Sequence, residues 1–252
     1  QLGLWGVLAE HLERKLEQTK DSYERVEIHR QLGRIYRTEL LLNEKSLACW
    51  QQVHELYPKE IEALRALMEL YLEFARWSHA VRIAGFLISL VSMEESNALR
   101  LLVSELYFDK MSNLAEASSE AEFLLNANSS DVDVLSRLEN LFLRMGDFEN
   151  VCATHLQLLL FEDTRESKVQ RYSTLAELYL SHLDAPEKAQ SCFETVLELD
   201  ESNLKAFKNL RGLYRNNEQW VDLRDLNEEF VALVSNDERY PLLVEIRDIL
   251  AE

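Results

Sequence analysis

Three aromatic series run in step through this 252-residue chain. Trp5, Trp77, Phe148 and Trp220 follow one another at 72, 71 and 72 residues, Tyr36, Tyr107 and Tyr179 at 71 and 72, and Tyr71, Phe142 and Tyr214 at 71 and 72. A shared period of this size marks a chain built by stacking one supersecondary unit. Each period divides again. Leu32-x-x-x-Tyr36, Leu67-x-x-x-Tyr71, Val103-x-x-x-Tyr107, Leu138-x-x-x-Phe142, Leu175-x-x-x-Tyr179 and Leu210-x-x-x-Tyr214 recur every 35 to 37 residues. The elementary unit is therefore half a period, and about seven units account for the chain.

Within a unit the apolar residues fall at i, i+3, i+4 and i+7, as in Leu64, Leu67, Leu70 and Tyr71, which is the spacing of a helix and not of a strand. Only 6 Gly and 3 Pro occur, too few for a sheet-rich sandwich or a phosphate-cradling loop. Short breaks such as Tyr57-Pro58, Met145-Gly146-Asp147 and Asp184-Ala185-Pro186 separate the periodic stretches. Asp131, Asp147 and Asn203 are placed to cap the helices that follow, and Pro186 suits a first helical turn. The pattern predicts about fourteen antiparallel helices of roughly 13 to 20 residues. A helix pair of that length cannot bury its whole apolar stripe alone, so the pairs must stack into an all-α solenoid.

Charge narrows the function classes. Lys plus Arg is 27 against 45 Asp plus Glu, a net charge of −18, and such a surface repels phosphate backbones and anionic lipid. No nucleic-acid partner and no membrane insertion is expected. Apolar runs such as Leu156 to Phe161 stop well short of the ~20 residues that span a bilayer. No targeting signal opens the chain at Gln1-Leu2-Gly3-Leu4-Trp5. Cys49, Cys152 and Cys192 are far apart with no Cys-x-x-Cys pair, which points to a reducing compartment such as the cytoplasm.

A search for chemistry yields little. The six histidines form no His-Glu-x-x-His or similar metal pair, and Gly-Lys-Ser, Gly-x-Gly-x-x-Gly and Gly-x-Ser-x-Gly are absent. No metal, cofactor or catalytic residue is expected, and the chain reads as a non-enzyme. His155, 13 residues after Phe142, reads as a packing histidine; Cys49 and Cys192 read as small hydrophobes beside Trp50 and Phe193.

The residues resemble the tetratricopeptide repeat family, whose pattern is a large residue, Leu-Gly/Ala-x-x-Tyr on a first helix, an Ala and an aromatic on a second, then Pro. Leu32-Gly33-Arg34-Ile35-Tyr36 with Trp50 and Pro58 fits, as does Leu175-Ala176-Glu177-Leu178-Tyr179 with Ala189 and Phe193. The resemblance implies a right-handed superhelix of about seven helix-turn-helix units over residues 1–252, read as one domain of a longer protein with partial units at 1–19 and 238–252. The small-residue slot holds Gly33, Ser104 and Ala176 in alternate units but Met68, Glu139 and Arg211 in the others, so alternate packings should be looser and the period of about 72 residues a two-unit super-repeat.

The resemblance also implies that the first helices line a groove, into which the residue after the signature aromatic points. That slot reads Arg37, Leu72, Phe108, Leu143, Leu180 and Arg215. Basic residues gather at the same ends, Arg25, Arg30, Arg34 and Arg37 early, Lys205, Lys208, Arg211 and Arg215 late. One reading is an apolar trough with cationic ends that holds a peptide or protein segment. The other is that these apolar residues pack against adjacent first helices while the basic residues form ordinary ion pairs. The Lys and Asn clamp of chaperone-binding members is not reproduced around Arg30, Arg34 and Lys208. The expected function is a protein-interaction scaffold, with a structural spacer or a regulatory region of a larger protein as alternatives.

Overall fold

A computed structural model describes residues 2–127, 131–231, 233 and 236–251, and the described residues form fourteen α-helices and one short 3-10 turn. They fall into two compact units, residues 1–127 and 128–252. The first holds α1 (Leu2–Gln18), α2 (Ser22–Thr38), α3 (Asn43–Leu56), α4 (Ile61–Glu73), α5 (Trp77–Ile88), α6 (Met93–Asp109) and α7 (Leu114–Asn126). The second holds α8 (Val132–Met145), α9 (Phe148–Leu158), α10 (Arg165–Ser181), α11 (Pro186–Leu199), α12 (Leu204–Asn216), α13 (Trp220–Val231) and α14 (Asn236–Ala251). Each helix packs chiefly on its neighbours in sequence, as a stacked repeat requires.

Helix starts follow from local chemistry. Asp131 accepts hydrogen bonds from the backbone N–H of Asp133 (2.9 Å) and Val134 (3.3 Å), Asp147 from Asn150 (3.2 Å), and Asn203 from Ala206 (3.1 Å). Each satisfies an N–H that the first helical turn leaves without a partner. Pro186 sits in the first turn of α11, where its missing N–H is no loss.

The super-repeat is written in helix lengths. First helices α2, α6 and α10 have 17 residues each, whereas α4, α8 and α12 have 13, 14 and 13. The long pairs carry the small residue and approach over a longer stretch than the short pairs do. In the first long pair the Ser46 hydroxyl donates to the Gly33 carbonyl at 2.8 Å, and in the next the Ser104 hydroxyl donates to the Ala117 carbonyl at 2.6 Å. Both bonds lie inside the helix-helix contact, where only small side chains let a hydroxyl reach backbone.

The turn inside each pair is stereotyped. Leu41, Ala75, Ser112, Gly146, Asp184 and Glu218 all adopt left-handed backbone, with φ between 46° and 74°, and five of the six are not glycine. The next residue in each case donates its N–H to the carbonyl of the signature aromatic: Leu42 to Tyr36 (2.7 Å), Arg76 to Tyr71 (2.8 Å), Asn113 to Tyr107 (2.8 Å), Asp147 to Phe142 (3.0 Å), Ala185 to Tyr179 (3.0 Å) and Gln219 to Tyr214 (2.9 Å). In the short pairs a second bond runs from Ala75 to Leu72, from Gly146 to Leu143 and from Glu218 to Arg215, completing a Schellman cap. The long pairs insert one more residue before the same closure, which is part of what separates the two kinds of unit.

The core follows the predicted stripes. Leu32, Leu64, Leu67, Leu138, Leu175 and Leu210 are all at most 2% exposed. Tyr36, Tyr71, Phe142, Tyr179 and Tyr214 are buried, but Tyr107 is half-buried, short of the burial its register predicts. Its pair holds Ala121 where the other long pairs set Trp50 and Phe193, so less side-chain volume covers its ring.

Candidate functional site

The sequence singles out the row that follows each signature aromatic, at the end of the first helices. In the first unit Arg37 pairs with Glu73 of α4, which also accepts from Asn43, while Leu72 and Phe108 are half-buried. Leu72 leans on the apolar core of α4 and its neighbours. Arg30 donates from Nε and Nη2 to Glu60 at 2.9 and 2.6 Å and from Nη1 to Glu27. Arg34 grips Glu62 with both nitrogens at 2.6 Å, a bidentate geometry. Arg65 of α4 donates from its one nitrogen Nη2 to both carboxylate oxygens of Glu95 of α6, at 2.7 and 2.9 Å. Consecutive first helices are thus bridged by an arginine on one and a glutamate on the next.

In the second unit Leu143 and Leu180 are 42% and 37% exposed. Lys205 of α12 pairs with Glu177 of α10, and Lys208 is exposed on the same helix. Arg215 donates from Nε to Glu245 of α14 at 3.0 Å, and Arg211 from Nε to the same carboxylate at 2.8 Å. Asn227 adds a third donor at 2.9 Å. Burial pushes the Glu245 carboxyl up, but the hydrogen bonds from Arg215, Arg211 and Asn227 outweigh it and hold it below the usual carboxylate range.

The slot that departs from the small-residue rule has its own structural use. Glu139, in that slot of α8, faces His155 of α9 (3.4 Å) and Arg171 of α10 (3.5 Å). Arg171 also binds Glu162 at 2.8 Å, and its Nη1 lies 3.0 Å from His155 Nδ1. One period later Arg211 and Asn227 occupy the slots of Glu139 and His155, and meet Glu245 with the charges exchanged. His155 is 5% exposed, and burial, partly countered by Glu139 and reinforced by Arg171, pushes its pKa down. It is a buried packing histidine whose ring meets polar partners on both sides. Sequence spacing held the signal, because Glu139 and Arg211 stand where the other pairs have a small or apolar side chain.

Burial pushes the thiols of Cys49, Cys152 and Cys192 up to about 11, the opposite of what a nucleophile needs. Among the described residues no group of three or more His, Cys, Asp or Glu is arranged to hold a metal ion, and no helix is long and apolar enough to cross a membrane.

No family model matches the chain, and no curated protein matches it. Among solved structures, it aligns with that of Naa15/Naa10 bound to HypK-THB at a TM-score of 0.50 and 12% identity, over 98% of this chain and 39% of that one. A tetratricopeptide repeat protein from Parabacteroides merdae ATCC 43184 aligns at a TM-score of 0.45 and 16% identity, over 98% of this chain and 93% of that one. The MamA protein aligns at 0.44 and 15% identity, over 71% of this chain and 94% of that one. At such identities the likeness is one of fold. The chain is an all-α helical repeat, similar in fold to these structures.

Proposed function

We propose that the chain is a non-catalytic protein-interaction module that holds a peptide or protein segment on the face made by its first helices. The observation that carries this reading is the exposure of Leu143 and Leu180, 42% and 37%, at a slot that recurs after each signature aromatic. Apolar side chains left open at a repeated position are surface that a partner covers with gain. The arginines around the row support specificity more than affinity, since their guanidinium groups are already engaged by glutamates and a partner carboxylate has to compete. In this reading Leu143 and Leu180 supply apolar contact in the second unit with Lys208 and Arg215 as polar rim, and Leu72 and Phe108 do so in the first with Arg30, Arg34 and Arg37.

The test is capture of partners by the 252-residue chain, with identification of what stays bound. The comparison is with Leu143→Asp and Leu180→Asp, each checked for its helical content. Loss of the wild-type partner from folded variants supports the reading, because a charge placed in an apolar interface has no partner. Full retention by both variants places the partner on another face.

A further inference from the structure

The second helices of the second unit carry a groove that the reading above does not use. It has a volume of about 600 Å³ and lies between α11 and α13, with Leu210 and Tyr214 of α12 at its floor and Leu197, Leu226 and Phe230 on its walls. Its rim is acidic. Glu194, Glu198 and Glu201 follow one another along α11 and the turn after it, and Glu229 stands on α13. Glu194 accepts from Tyr214 (2.9 Å) and Gln190 (2.9 Å), while among the described residues the carboxylates of Glu198, Glu201 and Glu229 have no ion pair or hydrogen bond. Burial, the Glu194 hydrogen bond and the charges of Glu194, Asp222 and Glu229 all push the Tyr214 phenol up, so the floor as well as the rim sits in negative potential.

Two comparisons separate this rim from what the fold demands. The same groove exists 143 residues earlier, between α3 and α5, with a volume of about 450 Å³. There Gln51, His54 and Phe86 stand where the second unit has Glu194, Leu197 and Glu229, Glu55 keeps the place of Glu198, and Arg82 joins the lining. The fold therefore makes the groove with one glutamate in both units, and Glu194, Glu201 and Glu229 are what make the second groove the more acidic of the two, with no arginine in its lining. The acids are also placed against the helices' own field. Glu198 lies in the last turn of α11 and Glu229 in the last turn of α13, two negative helix ends that carry no basic residue. A cation there lowers the free energy of the folded chain and an anion raises it, so the arrangement opposes stability. A cation brought by a partner relieves it.

We propose that the groove between α11 and α13 is a docking site for a partner helix whose apolar stripe is flanked by lysines or arginines. The apolar floor takes the stripe, and carboxylates on both walls take cations spaced one turn apart on the incoming helix. The site lies apart from the first-helix face and does not rest on the function proposed for it.

The experiment titrates a fluorescent, roughly 18-residue synthetic helix with a leucine stripe and flanking lysines against the chain, followed by anisotropy. Glu198→Lys with Glu229→Lys should weaken binding about tenfold or more and at the same time raise the melting temperature, because it removes like charge from two helix ends. Glu17→Lys with Glu69→Lys makes the same charge change on exposed sites of the first unit and should leave binding within about twofold. A peptide with glutamines in place of the leucines should bind at least about tenfold more weakly. The proposal is overturned if the two double variants weaken binding equally, if the glutamine peptide binds as well, or if the wild-type chain does not bind the leucine peptide.

Discussion

The indole of Trp50 lies against the backbone of Gly33, so close that a Cβ added to the glycine would stand 2.8 Å from both Cε2 and Nε1 of the ring. Trp50 is itself 3% exposed and has no open side to retreat to. Gly33→Ala should therefore destabilise the chain by about 1–3 kcal/mol, the cost of overpacking a filled core. Gly212, in the interior of α12, has nothing within 4 Å of the same added atom. Gly212→Ala should stabilise by about 0.5–1 kcal/mol through helix propensity. Urea melts of the two variants should move in opposite directions, and movement in the same direction contradicts the packing.

The left-handed turn residues offer a second test. Ala75 and Glu218 hold φ of 53° and 58° at the turn position that Gly146 holds at 74°. A side chain in that region costs about 1–2 kcal/mol, and glycine returns about 0.5–1 of it as lost backbone entropy. Ala75→Gly and Glu218→Gly should each stabilise by about 0.5–1 kcal/mol, and Gly146→Ala should destabilise by about as much. Thermal melts that rank these three differently would show that the turns relax.

Burial of the signature tyrosines predicts unequal costs. Tyr179 is 7% exposed, and Tyr179→Ala should destabilise by about 3–5 kcal/mol. Tyr107 is less deeply buried, and Tyr107→Ala should cost less, in proportion to the smaller apolar area removed from water. Equal losses in denaturant titrations would mean that the two long pairs pack alike.

The network of Glu139, His155 and Arg171 makes stability depend on pH in a definite sense. The folded His155 has a pKa below its usual 6.5, so at neutral pH both states are uncharged there and the stability is complete. As pH falls through 6.5 the unfolded chain takes up the proton first, and stability declines with it. His29 and His54 are shifted down by burial and add to the same decline. The melting temperature should fall between about pH 7 and pH 5, and less steeply in His155→Gln. An unchanged slope in that variant would remove His155 from the account.

Much of the fold is legible in the residues alone, because the forces that write it act locally. The period of Trp5, Trp77, Phe148 and Trp220, the helical spacing of Leu64, Leu67, Leu70 and Tyr71, and the caps at Asp131, Asp147 and Asn203 depend on neighbours a few positions away. The left-handed turns are not legible in the same way. Leu41, Ala75 and Glu218 have no preference for positive φ, and it is the tertiary demand to fold each second helix back onto its first that places them there. The candidate row was found by position, but its electrostatics were not. Whether Arg34 is a free cation or the partner of Glu62, 28 residues away, is decided by how one first helix lies beside the next. Glu139 and Arg211 likewise read as defects in a repeat until His155, Arg171 and Glu245 arrive beside them through packing. A helix can be specified by its own sequence, but an ion pair between helices needs both of them placed to a fraction of a turn, and that placement belongs to the assembled core.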